Sequence, residues 1–154
     1  MSRLPLILVT LLAIALLAAG CGDSGPSTTD TYKAAFAPLN AEIISTGNSV
    51  AQAVQTAKTK TDSAIAVDFT RLSDSAAALA GQLVRLAPPK DLEADNAALV
   101  TGLRQMAGKL NRIGDAAVQG DAAAARAATI SMLQASAAIR DPRRRIAAKL
   151  KLGS

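Results

Sequence analysis

Histidine and tryptophan are absent from this 154-residue chain, and cysteine occurs only once. Without histidine the chain has no imidazole base, no His-ligated zinc or haem site, and no Ser-His-Asp or Cys-His relay. A single cysteine forms neither an internal disulfide nor a cysteine-rich metal cluster. At this length one domain with a modest core is expected. The composition therefore predicts a non-catalytic protein with no metal site and no cofactor.

The net charge of +5 is concentrated at the C terminus. Residues 140–154 carry six basic side chains and one acidic side chain, whereas residues 4–139 carry ten basic and eleven acidic ones. The chain has only three aromatic residues, Tyr32, Phe36 and Phe69, and none lies beside the basic cluster. Because single-stranded nucleic acids are bound by stacking on aromatic side chains, we predict no nucleic-acid partner.

The first twenty residues have the pattern of an export signal. Arg3 precedes an apolar run over residues 4–19, which is shorter than the ~20 residues of a membrane-spanning helix. The run ends in Leu-Ala-Ala-Gly20-Cys21, which resembles the lipobox of bacterial lipoprotein precursors. The resemblance implies cleavage between Gly20 and Cys21 and a diacylglycerol on Cys21. The alternatives are an ordinary cleavable signal peptide with a stray thiol, or an uncleaved anchor.

The composition divides the chain into four regions. Residues 1–20 form the lipoprotein signal peptide, and residues 21–30 form the lipidated cysteine with a tether rich in Gly, Ser, Pro and Thr. Residues 31–140 form the helical domain, and residues 141–154 form a basic C-terminal extension.

Four apolar stripes with spacings of three and four residues predict four helices. The first two run through Tyr32, Phe36, Leu39, Ile43, Val50 and Val54, and through Ile65, Phe69, Leu72, Ala76, Leu79 and Leu83. The third and fourth run through Leu92, Leu99, Leu103, Met106, Leu110 and Ile113, and through Ala125, Ala128, Met132, Ala135 and Ile139. Pro38 is expected to kink the first helix or to mark a later start.

Short connections between helices favour antiparallel neighbours, so the predicted fold is all-α, an up-down four-helix bundle. The alternative is a three-helix arrangement in which the first two helices are continuous, because no Gly or Pro lies between residues 58 and 61. The Leu-rich segment with Pro88-Pro89 and Gly120-Asp121 is similar to small Ala-rich lipoproteins of high-GC bacteria. This second resemblance implies location and fold, and no activity.

Three features allow a site or a purely structural role. Asp91 and Asp95 share a helix face and would bind a cation weakly, but an acidic helix start explains them better. Met106 lies on an apolar stripe, as Met132 does, and both are predicted to fill the core because no histidine partners them. Asn96 would set helix register or line a ligand cavity if buried, but it is expected to meet solvent near the helix end.

These observations predict an exported lipoprotein on the outer face of a bacterial membrane, acting as an interaction or scaffold module for an unidentified protein partner. The alternative is a binder of a small apolar or amphipathic ligand between the helices. An even number of helices returns the chain to its starting end, so the basic extension is expected to meet anionic lipid headgroups. Ile146 and Leu150 would then enter the membrane interface, beside the predicted headgroup contacts Arg143, Arg144, Arg145, Lys149 and Lys151.

Overall fold

The computed structural model describes residues 26–152, and this part of the chain is helical with no strand. The helices are α1 (Thr28–Thr56), α2 (Asp62–Val84), α3 (Glu93–Val118), α4 (Ala122–Ala135) and α5 (Ala137–Lys149). A short 3-10 helix, Ala57–Thr59, follows α1. The all-α prediction is confirmed.

Helix α1 begins earlier than predicted. Ser27 is its N-cap: the Ser27 hydroxyl accepts a hydrogen bond from the Asp30 backbone N–H at 3.1 Å and donates one to the Asp30 carboxylate at 2.8 Å. This reciprocal pairing satisfies a backbone donor that the helix start leaves free. The tether predicted to end at residue 30 therefore ends before Thr28. Pro38 lies on the exposed face of a continuous α1, so the later start is also wrong.

The first two predicted helices are separate. Lys60 adopts an extended conformation after the 3-10 turn, and Thr61 caps α2 by accepting a hydrogen bond from the Ala64 N–H at 3.3 Å. The extended backbone at Lys60 and Thr61 interrupts the helix, and the Thr61 side chain satisfies a free N–H at the start of α2. The alternative of one continuous helix is therefore wrong. Between α3 and α4, Gly120 adopts a φ of 66° and Asp121 caps α4 by accepting hydrogen bonds from the backbone N–H groups of residues 123 and 124.

The fourth arm of the bundle consists of α4 and α5, separated at Ser136. The predicted boundary at residues 140 and 141 is not a break, because Asp141 and Pro142 lie inside α5. Pro142 has no N–H to donate to the Ala138 carbonyl. Residues 141–149 of the basic extension are therefore part of a packed helix and not an appendage.

Contacts along the helices show the antiparallel register. Residues 109, 102 and 95 of α3 lie opposite residues 131, 138 and 145 of the fourth arm, in steps of two helical turns. On the other side of α3, the Ser73 hydroxyl donates to the Ala107 carbonyl at 2.9 Å. Helix α3 thus packs against α2, α4 and α5, while α1 packs mainly against α2. The four-arm antiparallel bundle is confirmed.

Two apolar clusters fill the bundle, one at each end. The first joins the start of α1 to the end of α5 and is here called the N-terminal-end cluster; its members are Tyr32, Phe36, Leu39, Ile43, Leu79, Ala80, Leu83, Leu92, Leu99, Val100, Leu103, Ile146 and Leu150. The second contains Val50, Ala53, Phe69, Leu72, Ala76, Ala107, Leu110, Ile113 and Met132. Because the start of α1 and the end of α5 share a cluster, the chain returns to the end at which it began.

The α3–α5 seam is closed at Gly102. A Cβ added at Gly102 would lie 2.6 Å from the Ala138 carbonyl oxygen and 3.1 Å from a side-chain carbon of Ile139. That oxygen is the one that Pro142 leaves without a helical donor. Only a residue without a side chain permits this approach.

Candidate functional site

The basic residues of α5 are divided between internal contacts and solvent. Arg145 Nε lies 2.7 Å from Asp95 Oδ1, and Lys149 Nζ lies 2.6 Å from the Asp91 carbonyl oxygen and 3.5 Å from its carboxylate. Arg143 Nη1 donates to Asn40 Oδ1 at 2.9 Å. These contacts attach α5 to the start of α3 and to the middle of α1.

Arg144 and Lys151 differ from the other predicted headgroup contacts. Both side chains are exposed, and within residues 26–152 neither forms an ion pair or a side-chain hydrogen bond. They are therefore the two members of the basic set whose charge is directed only to solvent.

The expectation that Ile146 and Leu150 enter a membrane interface is wrong. Ile146 is fully buried and Leu150 is 3% exposed, and both belong to the N-terminal-end cluster. They lie one turn apart on the apolar face of α5, and that face packs into the bundle. Burial in the core stabilises α5 and leaves its polar face outward.

Asp91 and Asp95 serve as counter-charges for α5. Asp95 pairs with Arg145 and Asp91 pairs with Lys149. The described residues contain no group of three or more His, Cys, Asp or Glu side chains arranged for a metal. Their position at the start of α3 and their ion pairs with α5 together explain why both positions are acidic.

Asn96 is buried, contrary to the expectation that it meets solvent. The Tyr32 hydroxyl donates to Asn96 Oδ1 at 3.0 Å, and Asn96 Nδ2 donates to the Leu83 carbonyl at 3.3 Å. The amide thus joins α1, α3 and the end of α2 in one polar network inside an apolar cluster. Burial, together with the negative charge of Asp95, raises the pKa of Tyr32 to about 12. The arrangement supports the register role that a buried amide can have.

An apolar groove of about 530 Å³ separates α1 from α4 and α5. Helix α1 contributes residues between Ile43 and Gln55, and the opposite wall contains Met132, Leu133 and Ile139. Half-buried Met106 of α3 lies at the base between these walls, whereas Asn96 is not part of the lining. Asn96, which was expected to line a ligand cavity if buried, therefore does not line this groove, whereas Met106, expected to fill the core, does. Met132 is buried in the second cluster, as expected of a core residue.

Among the described residues, the only charged side chains that line this groove are Arg140 and Arg143. No carboxylate of the described chain lines the groove. Asp141, which is not part of the lining, has its Oδ1 3.2 Å from Arg140 Nε. Desolvation, assisted by the neighbouring charge of Arg144, lowers the pKa of Arg143 from its ordinary value. Arg143 is thus a partly desolvated cation whose hydrogen-bond acceptor is a neutral amide.

The cations lie at the end of the groove nearer the start of α1. Arg143 bonds to Asn40, which precedes the first α1 residue of the groove, Ile43. Farther along the groove, Val50 of α1 and Met132 of α4 belong to the second cluster, at the opposite end of the bundle. The groove therefore has one basic end and one apolar end.

A second groove, of about 660 Å³, lies between the end of α1 and the start of α4. Its charged lining contains both signs: Lys58 and Arg126 as well as Asp62 and Asp121. The lining of this groove therefore carries two charges of each sign and no net charge.

No protein-family model matches this sequence, and the searches of curated proteins and of solved structures found no significant match either. The helices within residues 26–152 include none that is both long and apolar enough to cross a bilayer. Gly20 and Cys21, the predicted cleavage and lipidation residues, lie outside the described residues.

Proposed function

We propose that this protein is an exported lipoprotein, held on the outer face of a bacterial membrane by acylated Cys21, whose helical domain binds partners and catalyses no reaction. The supporting observation is the return of the chain to its starting end. Helix α1 begins at Thr28, within a few residues of Cys21, and the basic helix α5 ends beside it. The anchor and the basic surface would therefore face the same membrane.

The anchor is tested by metabolic labelling with a clickable fatty acid. We expect label on the wild-type protein and none on Cys21→Ser. A matched control carries a relocated thiol, with Ser24→Cys added to Cys21→Ser. Because the lipobox context directs acylation, this control should also remain unlabelled. Equal labelling of wild type and Cys21→Ser, or a mature chain that lacks Cys21, would overturn the proposal.

The membrane-facing surface reduces to Arg144 and Lys151, since Arg145 and Lys149 are already paired within the bundle. Each basic residue near an anionic surface contributes about 1 kcal/mol, and salt screens this attraction. Non-acylated protein spanning residues 22–154 should therefore bind anionic vesicles better than neutral ones at low salt.

The matched test compares two double variants of equal net charge. Arg144→Gln with Lys151→Gln should remove about 2 kcal/mol of attraction and weaken vesicle binding at low salt by about thirtyfold. Lys58→Gln with Arg126→Gln removes the same charge from the opposite end and should leave most of the binding intact. Equal loss in both variants would show that net charge alone drives the attraction.

The apolar groove favours the second candidate function, a binder of a small apolar or amphipathic ligand. A domain that binds partners only on its outer faces is expected to have a filled core. This domain has an open groove beside Met106 instead, which favours a ligand site. This candidate is compatible with the anchor, because the ligand would be held at the membrane surface.

A further inference from the structure

We propose that the groove between α1 and the α4–α5 arm binds a single-chain anionic amphiphile, with its hydrocarbon chain along α1 and its acidic head group at Arg140 and Arg143. The inference rests on the second candidate function above and names its ligand class.

The shape of the groove suits a linear chain. Its α1 wall covers residues 43–55, about 18 Å at 1.5 Å per residue. Ile44 and Leu133 border it and are 38% and 57% exposed, which leaves apolar surface uncovered on both sides within the described chain. A bound hydrocarbon chain would remove that surface from water.

The charges select the head group. Both charged lining residues are arginines at one end of the groove; Arg140 is paired with exposed Asp141, whereas within the described chain Arg143 donates only to the neutral amide of Asn40. An anion there would receive charge-assisted hydrogen bonds, which are stronger than the bond that Arg143 makes to neutral Asn40. A neutral head group would leave the partly desolvated guanidinium without a charge partner. Carboxylate and phosphate share the required chemistry, so a fatty acid and a monoacyl phosphate are the two sources to distinguish.

Gly47 provides a way to close the groove without disturbing the fold. It lines the groove on α1, and a Cβ added there meets no atom within 4 Å. Gly47→Leu would therefore place a side chain in the space of the ligand. Gly108 on the exposed face of α3 is equally unobstructed and lies outside the groove lining, so Gly108→Leu adds the same side chain as a matched control.

The experiment uses the non-acylated chain 22–154, which contains every described helix and both apolar clusters. Three probes of equal chain length are titrated below their aggregation concentrations: hexadecanoate, hexadecyl phosphate and hexadecanol. Competition with a fluorescent fatty acid gives the affinities, and the absence of tryptophan keeps the background low.

At least one anion should bind about tenfold or more tightly than the alcohol, and the better anion identifies the head group. Gly47→Leu should weaken binding of that anion at least about tenfold, while Gly108→Leu leaves it unchanged. Arg143→Gln should reduce the preference for the anion over the alcohol, and Arg144→Gln should not.

Equal affinity for the alcohol and both anions would overturn the proposal. Absence of binding by all three probes, or unchanged binding in Gly47→Leu, would do the same. None of these results affects acylation of Cys21, which is measured separately, so failure of the groove site is distinguishable from failure of the lipoprotein proposal.

Discussion

Two glycines that lie at seams of the bundle, Gly102 and Gly47, have opposite surroundings. At Gly102, α3 approaches α5 so closely that a Cβ would lie 2.6 Å from a backbone oxygen. At Gly47, α1 faces the α4–α5 arm across an open groove, and a Cβ would contact nothing within 4 Å. The same residue type therefore permits close packing in one seam and leaves space in the other. The comparison separates a closely packed seam from an open one, and the open seam is the one in which we propose that a ligand binds.

The largest expected effect comes from forcing the closed seam apart. Gly102→Leu would drive a side chain into the Ala138 carbonyl and Ile139, so the free energy of unfolding should fall by about 3 kcal/mol. Urea unfolding followed by circular dichroism measures the loss. Gly108→Leu adds the same group in open space on the same helix and should instead raise stability by about 0.5 kcal/mol, because leucine has the higher helix propensity. Similar losses in both variants would show that α5 is not packed closely on α3.

The next effect concerns the polar network that holds the start of α1 against α3. Asn96→Ala leaves the buried Tyr32 hydroxyl and the Leu83 carbonyl without this partner and should cost about 2 kcal/mol. Asn48 lies on the exposed face of α1, so Asn48→Ala serves as the control. Its effect on the free energy of unfolding should be close to zero. An Asn96→Ala variant as stable as wild type would mean that the network contributes no specificity.

Alkaline titration sharpens the same contrast without a mutation. Tyr32 is the only tyrosine, so absorbance of the phenolate reports this one group. Its folded-state pKa of about 12 lies above the unfolded value near 10. The unfolded chain therefore releases its proton first: the contribution of Tyr32 to stability is complete below pH 10 and is lost as the pH rises towards 12. Titration of the folded protein near pH 10, as in urea, would contradict burial of Tyr32.

The smallest effect is expected from the ion pairs on the surface of α5. Asp95→Asn removes the partner of Arg145, whose side chain is largely exposed, so stability should change by less than about 1 kcal/mol. The change should shrink as salt is added, because salt screens exposed charges. A double-mutant cycle with Arg145→Gln isolates the pair. A larger, salt-independent coupling would show that this contact is more buried than the structure indicates.

Much of the fold followed from apolar periodicity and turn chemistry. The stripes predicted the arms of the bundle, and Thr61, Gly120 and Asp121 are residue types that favour the caps and the turn they form. Ser27 was missed because its surroundings have linker composition, although the Ser-x-x-Asp spacing to Asp30 is a capping signal. The prediction of four antiparallel arms also implied that the last arm ends near the start of α1, as it does.

The candidate site was less predictable because it depends on packing between helices distant in sequence. Asn96 lies near a helix end, and its burial follows only once Tyr32 from α1 covers it. The basic residues around Ile146 suggested a surface segment, but one apolar face is enough to place α5 in the core. Gly47 and Gly102 are indistinguishable in sequence, since the distance to the facing helix decides their roles.

The most direct test of the two-seam account applies one identical change to both glycines. In an open helical position, Gly→Ala stabilises by about 0.5–1 kcal/mol, because glycine loses more backbone entropy on folding. Urea unfolding of Gly47→Ala should therefore show a stability gain of this size. Gly102→Ala should instead lose stability, because its methyl group meets the Ala138 carbonyl. Changes of the same sign in the two variants would contradict the distinction between a closed and an open seam.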